Sequence, residues 1–282
     1  MIHPTAIIHP TAIIHPTAII HPRARLHPTV QVGAYSIIDE HVELGAGCEV
    51  LHHVHLTGHT SAGENNFFGV GCVIGAPPQD FKYKNALTKL RIGSNNVFRE
   101  MVTIHCSNTE EEDTVVGSEC FFMATSHVGH NAFIGDKVIL ANSALIAGHV
   151  TVGSQAFISG NTAIHQFVRI GELAMIQGVS AMSCDVPPYT IAFDKNLIAG
   201  LNIVGLRRAG FSVEERLELK RVYNFLFRTQ LKRKDAVYQA KQLFHLPASQ
   251  KMIEFVESSS RAMPADAESL HKASFKNERS SE

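Results

Sequence analysis

Every sixth residue is apolar along most of the first two thirds of the chain. The series runs Ile2, Ile8, Ile14, Ile20, Leu26, Val32, Ile38, Leu44, Val50, Leu56, Ala62, Phe68 and Ile74, and resumes at Ile92, Phe98 and Ile104. It runs again through Val116, Phe122, Val128, Ile134, Leu140, Ile146, Val152, Ile158, Ile164, Ile170, Ile176 and Met182. Four residues after most of these stands a small or β-branched side chain, such as Val30, Ser36, Val42, Cys48, Thr60 or Cys72. A period of six fits neither the 3.6 of a helix nor a plain hairpin; it is the signature of a solenoid. Residues 2–19 are three identical copies of Ile-His-Pro-Thr-Ala-Ile, so the opening histidines His3, His9, His15, His21 and His27 read as decoration of a turn position.

A hexad with one inward aliphatic, one small corner residue and frequent Gly, Asn or Asp is a short strand plus a turn. Three hexads close one triangular coil, so residues 18 apart stack, Ile2 under Ile20 under Ile38 under Leu56. About nine such coils at a strand spacing of about 4.8 Å give a prism roughly 43 Å tall. Each buried aliphatic contributes about 1.5–3 kcal/mol before chain entropy is subtracted.

Two stretches break the period. Residues 75–91, GAPPQDFKYKNALTKLR, mix prolines, charges and aromatics, and residues 105–115, HCSNTEEEDTV, are acidic. Long excursions from a regular frame are where function concentrates. Paired prolines in Cys184-Asp-Val-Pro-Pro-Tyr are expected to block a further coil. Beyond an irregular link, Ser212-Val-Glu-Glu215 is a capping box that opens a helix to about Arg228. Two more helices are expected over about 234–245 and 249–257, with a polar, frayed tail from about Met263. The fold class is therefore mainly β, a prism of residues 1–190 followed by a helical domain of residues 191–282.

Composition narrows the function. A net charge of -1 over 282 residues gives no polyanion-binding signature. Five scattered cysteines without a CxxC pair read as reduced thiols in a cytoplasmic protein. The opening residues lack a basic n-region, and no apolar run reaches membrane-span length.

The chemistry concentrates between Phe122 and Gln166. His127 and His130 flank one corner, His149 falls about one coil later and His165 nearly another, which clusters imidazoles along one side of the prism. A zinc site of the gamma-carbonic-anhydrase kind is one reading of such a set, although no carboxylate or cysteine accompanies the pairs. A bare scaffold is another. Acyl transfer needs one histidine to take a proton and one backbone donor for the oxyanion, and Gly148 beside His149 offers such an N–H.

The hexads resemble those of left-handed parallel β-helices, and the handedness comes from that resemblance, since the general crossover rule favours the opposite hand. More specifically, Thr57-Gly58-His59-Thr60, Gln79-Asp80-Phe-Lys82-Tyr83, Thr103-Ile-His105, Leu-Ile-Ala-Gly148-His149-Val and Ala-Ile-His165-Gln166-Phe carry a family likeness, as do Asp185-Val-Pro-Pro-Tyr and Asn202-Ile-Val-Gly-Leu-Arg207-Arg208. They are similar to motifs of the acyl-[acyl-carrier-protein]–UDP-N-acetylglucosamine O-acyltransferases of lipid A biosynthesis. The resemblance implies a homotrimer with active sites between adjacent prisms, no dissociable cofactor, and acyl-carrier protein and a UDP-sugar as partners. It implies His130 as general base for the sugar 3-hydroxyl attacking a 3-hydroxyacyl thioester, and Gly148 as oxyanion donor. By the same likeness Asp80, Lys82, His127, His149, His165 and Gln166 contact substrate, and Asn202 and Arg208 hold the nucleotide end. Gly178, on the inner side of a late coil near Met175, matches the acyl-chain ruler. Arg207, Arg208, Arg216, Lys220 and Arg221 are the candidate docking face for the acidic carrier.

Three departures from the family pattern stand out. Asn131 stands where aspartate follows the base, Cys106-Ser107-Asn108 replaces Arg-Gly-Thr, and Val204 replaces a glutamate on the nucleotide side. Asn131 can orient the ring through its carbonyl but brings no charge. The related N-acyltransferase also has His-Asn, which raises a 3-amino sugar as an alternative acceptor.

Overall fold

In the computed structural model of the chain, all of residues 13–269 and the backbone of Ile7–Ile8 are described. The hexad at Ile2, the pairing of His3 with His21, and the tail after residue 269 lie outside the described residues. Up to Met182 the described chain is a triangular prism of parallel strands, most of them two residues long. The chain visits three faces in turn: the first from Ile7–Ile8 to Arg169–Ile170, the second from Ile13–Ile14, and the third from Ile19–Ile20 to Ala181–Met182. Ile20 pairs with Ile38 and Ile38 with Leu56, the stacking expected from the period.

The hexad aliphatics point inward. Ile20, Ile38, Leu56, Ile74, Ile104 and Ile134 are almost fully buried, and the small corner residues Val30, Ser36, Val42, Cys48, Thr60 and Cys72 fill the vertices. Phe68, Phe98 and Phe122 follow one another up the second face at ring separations of 5.2 and 5.0 Å, so the coils next to the insertions hold the bulkiest side chains of the prism core. At each edge the chain turns through two residues, the second of which often has a positive φ; Asn131 (56°), His149 (58°) and Phe167 (64°) occupy this position at successive coils.

We name the edges by the turn from face to face: edge I from first to second, edge II from second to third, edge III from third to first. Both insertions leave the prism at edge III. The first follows Val73–Ala76 and returns at Lys89–Ile92; the second follows Thr103–His105 and returns at Thr114–Val116. Their flanks are paired strand, His59 with Lys89 and Ala76 with His105, so the free loops shrink to residues 77–88 and 106–113.

The paired prolines do not end the coil. Val186 bridges Ile170, Ile191 pairs with Met175 and Lys195 bridges Ala181, so an irregular tenth turn touches all three faces. Proline at these positions removes only ladder N–H groups, which a terminal coil can forgo. Thr190–Phe193 then turns back as an antiparallel partner of Leu197–Leu201, and Ala265–Asp266 adds the last strand of a twelve-stranded second face.

The helices named among the described residues follow: α1 (Ile203–Arg208), α2 (Val213–Phe227), α3 (Arg233–Leu243) and α4 (Pro247–Ser258). The capping box at Ser212 and Glu215 forms as expected. α1 was expected only as an irregular link; six residues are too few to show a period. The tail expected to fray is instead anchored through residue 269: Asp266 is buried and accepts from Tyr223 Oη at 2.5 Å and Arg228 Nε at 3.1 Å. Asp185 fastens helices to prism, accepting from Arg169 Nε at 3.0 Å and from Ser259 Oγ at 2.6 Å. No helix among the described residues is long and apolar enough to cross a membrane.

Candidate active site

The site assembles on edge III, where the third face supplies outward strand residues, the turn supplies His130 and Gly148, and both loops lie alongside. His127 is the outward residue of its strand, and its Nδ1 lies 2.8 Å from Thr103 Oγ1 on the coil before. His130 and Gly148 are the first turn residues of successive coils. A Cβ on Gly148 would lie 2.7 Å from both Cε1 and Nε2 of His130, so only glycine lets the imidazole rest there. No acceptor for the Gly148 N–H is found among the described residues.

The His130 tautomer follows from its partners. Asn131 Oδ1 accepts the backbone N–H of Asn108 at 2.9 Å, which fixes the carbonyl end of the amide. The same oxygen lies 2.9 Å from His130 Nδ1, so Nδ1 must carry the proton and Nε2 the lone pair. Asn131 is itself held by its N–H to Thr114 Oγ1 at 2.8 Å, and its Nδ2 points at Glu112 Oε2, 3.4 Å away.

The two loops are laced together. Asp80 accepts from Lys82 N at 2.9 Å and from Asn108 Nδ2 at 2.7 Å, and these bonds hold its carboxyl below the ordinary carboxylate range. The buried Oδ1 of Asn108 has no partner among the described residues.

His105 joins the cluster, its ring centroid 5.3 Å from that of His127, with Nδ1 donating to Pro77 O at 2.6 Å. Burial lowers His105, and burial reinforced by His105 and His130 pushes His127 down to about 4. His149 stands edge-on to His130 at 5.1 Å and stacks on Phe167 at 4.5 Å; burial and His130 lower it, against the opposing pull of Glu112 and Asp80. The neighbouring imidazoles are thus held neutral near pH 7.

A cavity of about 390 Å³ opens between these groups, with Gln79, His105, His127, His130 and Gln166 on its polar side. Leu145 and Ala163, outward on the third face, give it an apolar wall. Polar groups at one end and an apolar strip at the other suit an acyl thioester meeting a polar acceptor. Among the described residues no three His, Cys, Asp or Glu side chains converge as a metal site requires.

The expected residues divide into groups. Asp80, His127, His130, Asn131, Gly148, His149 and Gln166 gather at edge III, with Lys82 exposed on the loop above. His165 does not join them. It precedes the turn instead of occupying it, and it lines a separate cavity with Met182 and Asn196. Gly178 is not on an inner side: it is exposed at edge II, in the turn that follows Met175, on the far border of the third face. Asn202 caps α1, accepting from Gly205 N and donating to Leu173 O, both at 2.9 Å, which places it over edge I. Arg207, Arg208, Lys220 and Arg221 are exposed, whereas Arg216 is half-buried and donates to Phe211 O.

Sequence reasoning missed His105, Asn108 and Glu112 as site members. His105 was visible within Thr103-Ile-His105 and its place 22 residues before His127; nothing periodic marks the other two.

Comparison with known proteins places this geometry in a family. The profile described as "Udp N-acetylglucosamine O-acyltransferase; Domain 2" matches residues 185–263. The acyl-[acyl-carrier-protein]–UDP-N-acetylglucosamine O-acyltransferase of Thermodesulfovibrio yellowstonii is 44% identical over 237 residues, 83% of this chain and 92% of its own. The enzyme of the same name from Paraburkholderia phymatum is 40% identical over 269 residues, covering 93% and 98%. The solved UDP-N-acetylglucosamine acyltransferase of Francisella novicida superposes with a TM-score of 0.87 at 32% identity, over 92% of this chain and 96% of that one. By sequence along nearly its whole length, and by a matching fold, the chain belongs to the acyl-[acyl-carrier-protein]–UDP-N-acetylglucosamine O-acyltransferase family.

Proposed function

We propose that the chain transfers a 3-hydroxyacyl group from acyl-carrier protein to the 3-hydroxyl of UDP-N-acetylglucosamine, the opening step of lipid A biosynthesis, in the cytoplasm. The observation that carries the reading is the approach of His130 Nε2 to Gly148, with no partner for that nitrogen or for the Gly148 N–H among the described residues. His130 Nε2 takes the proton of the sugar hydroxyl as its oxygen bonds to the thioester carbon. The carbonyl electrons move to oxygen, which the Gly148 N–H stabilises. When the tetrahedral adduct collapses, the C–S bond breaks and the imidazolium returns its proton to the departing thiolate, so the base ends neutral.

The substrate roles follow from placement. Asp80, Lys82, His127, His149 and Gln166 border the acceptor end, and His165 lies one step further along the same edge. Met175 and Gly178 bound the far end of the apolar strip, where the acyl chain stops. Asn202 and Arg208 serve the nucleotide and sit over a different edge from His130, a separation that supports sites shared between subunits of a homotrimer. Phe81, wholly exposed at the tip of the first loop, is consistent with a neighbouring prism there. The transfer chemistry belongs to residues 1–190, and the domain of residues 191–282 offers exposed Arg207, Arg208, Lys220 and Arg221 to the acidic carrier protein.

Mass spectrometry of products from UDP-N-acetylglucosamine and a mixed acyl-carrier-protein pool tests this. The expected product is a singly O-acylated UDP-sugar with an equivalent of free carrier thiol; thiol release without acylated sugar, or no release, would refute it.

A further inference from the structure

The residue beside the base is neutral, yet a carboxylate stands directly behind it. We infer that Glu112 is a positioning residue that supplies, through the Asn131 amide, the negative charge the base lacks at its own side. This rests on the reading of His130 as the general base.

The chain of contacts is short. His130 Nδ1 donates to Asn131 Oδ1 at 2.9 Å, and Asn131 Nδ2 reaches Glu112 Oε2 at 3.4 Å. The amide is a dipole with its oxygen toward the imidazole and its nitrogen toward the carboxylate. A negative charge at the nitrogen end polarises the amide, makes the oxygen a better acceptor and opposes the flip that would turn Nδ2 toward the ring. That flip would force the proton onto Nε2 and remove the lone pair the reaction needs. When His130 takes the substrate proton, Nδ1–H stays in place and the imidazolium faces a polarised carbonyl. No proton passes to Glu112.

The charged and titratable groups around His130 leave this role to few candidates. His105, His127 and His149 face it from the coils and flanking strand, and all three have lowered affinity for protons. The carboxylates are Asp80, tied through Asn108 to the same Asn131 oxygen, and Glu112. Of these two Glu112 is the one that reaches the amide nitrogen among the described residues, and it also lies 3.7 Å from His149 Nδ1. It is supplied by the second insertion, next to Asp113, which binds Arg91, and two residues after Glu110, which accepts from Leu87 N at 3.2 Å. The loop is therefore pinned on both sides of the residue that contacts the amide. With a carboxylate in this place, the neutral Asn131 gives no reason to require an amine acceptor.

The experiment measures kcat, KM and the pH profile of the full-length enzyme with acyl-carrier protein and UDP-N-acetylglucosamine. Glu112→Gln keeps the side chain's size and an acceptor for Asn131 Nδ2 while removing the charge. It is expected to lower kcat about tenfold, leave KM for the sugar unchanged and move the acid limb of the profile to lower pH. Adding Asn131→Asp to that enzyme should recover most of the lost kcat, because the charge then sits directly on the ring. A Glu112→Gln enzyme equal to wild type in kcat and acid limb overturns the proposal, as does a loss that Asn131→Asp does not recover, since the glutamate would then only hold its loop. His130→Ala is run alongside. Inactivity there with an unaltered Glu112→Gln enzyme defeats the Glu112 role alone; retained turnover in His130→Ala defeats the base assignment and this proposal with it.

Discussion

Edges I and III of the prism are built from the same two-residue turn, and they differ in where the turn's N–H groups go. Along edge I the bonds climb from coil to coil: Glu64 N to Ser94 Oγ (2.9 Å), Ser94 N to Ser118 Oγ (3.0 Å), Ser118 N to Asp136 Oδ1 (2.7 Å) and Asp136 N to Ser154 Oγ (3.1 Å). Short polar side chains at the first turn position close the edge on itself. Along edge III the same position holds His130, Gly148 and Gln166, and the Gly148 N–H is left open beside an imidazole. A buried or half-buried donor without a partner costs stability, and a repeat frame with a large column core can carry that cost at one place. One edge is architecture, and the other exchanges local bonding for chemistry.

The largest effect should come from the heart of edge III. His130→Ala is expected to lower kcat by about 10²–10⁴ with the coil intact by circular dichroism, while Ser118→Ala on edge I leaves turnover alone and lowers stability by about 1 kcal/mol. Comparable losses of turnover in both variants would dissolve the distinction between the edges.

Glycine substitution sharpens it further. Gly148→Ala drives a methyl to 2.7 Å from the His130 ring and should cost about 10–10² in kcat. Gly160→Ala, on edge II, meets one atom at 3.1 Å, Asn142 O, and should be nearly silent in steady-state assays. Equal rates for the two enzymes would mean that the His130–Gly148 approach is incidental.

Edge II bounds the apolar strip from the other side. A Cβ at Gly178 meets only Gly160 O at 3.2 Å and Ser159 Cβ at 3.9 Å, so a longer side chain has room to extend outward. Gly178→Met should shift preference toward shorter acyl chains by about tenfold, in line with the discrimination that a few methylenes provide. Competition among carrier-linked acyl chains reads this directly, and an unchanged length profile would move the chain's end elsewhere.

The last effect concerns folding. His127 has its pKa lowered from 6.5 to about 4, so the unfolded chain binds its proton more tightly than the native one. Its contribution is complete above pH 6.5 and is lost as pH falls toward 4, a change on the order of 2 kcal/mol. His105 and His149 act in the same direction. Urea midpoints measured across this window should fall with acid, and His127→Gln should flatten part of the slope; an equally steep slope would assign the acid sensitivity to other groups.

How much of this was legible beforehand varies by element. The capping box at Ser212 placed α2 to the residue because local hydrogen bonding determines a helix start. The six-residue α1 carried no period, and its cap, Asn202, had been read for its chemistry alone. Counting residues puts His165 in the cluster, but a one-position offset within the turn aims a side chain differently, and counting does not resolve that. Asp266 lay in a polar tail and is instead a buried anchor, since Tyr223 and Arg228 wait for it 38 or more residues away.

The order of residues alone sets the prism. A strict six-residue period leaves one way to bury every sixth side chain, so the stacking of Ile20, Ile38 and Leu56 and the gathering of His127, His130 and His149 follow from arithmetic on an 18-residue coil. It also carried the family, because the motifs that hold substrate are contiguous along the chain. What the two insertions do is settled by contacts between distant segments. That both emerge from edge III follows from the count, since one coil of three hexads lies between them, but residues 77–88 and 106–113 have no period of their own, so their order does not foretell how they dock. Nor does it foretell that Asn108 joins Asp80 to Asn131, or that Glu112 lies behind that amide. Repetition makes contacts within a coil predictable because each residue's neighbours are fixed by the count; loop contacts depend on how two irregular segments dock, and that is settled by packing and hydrogen bonding among residues distant in sequence.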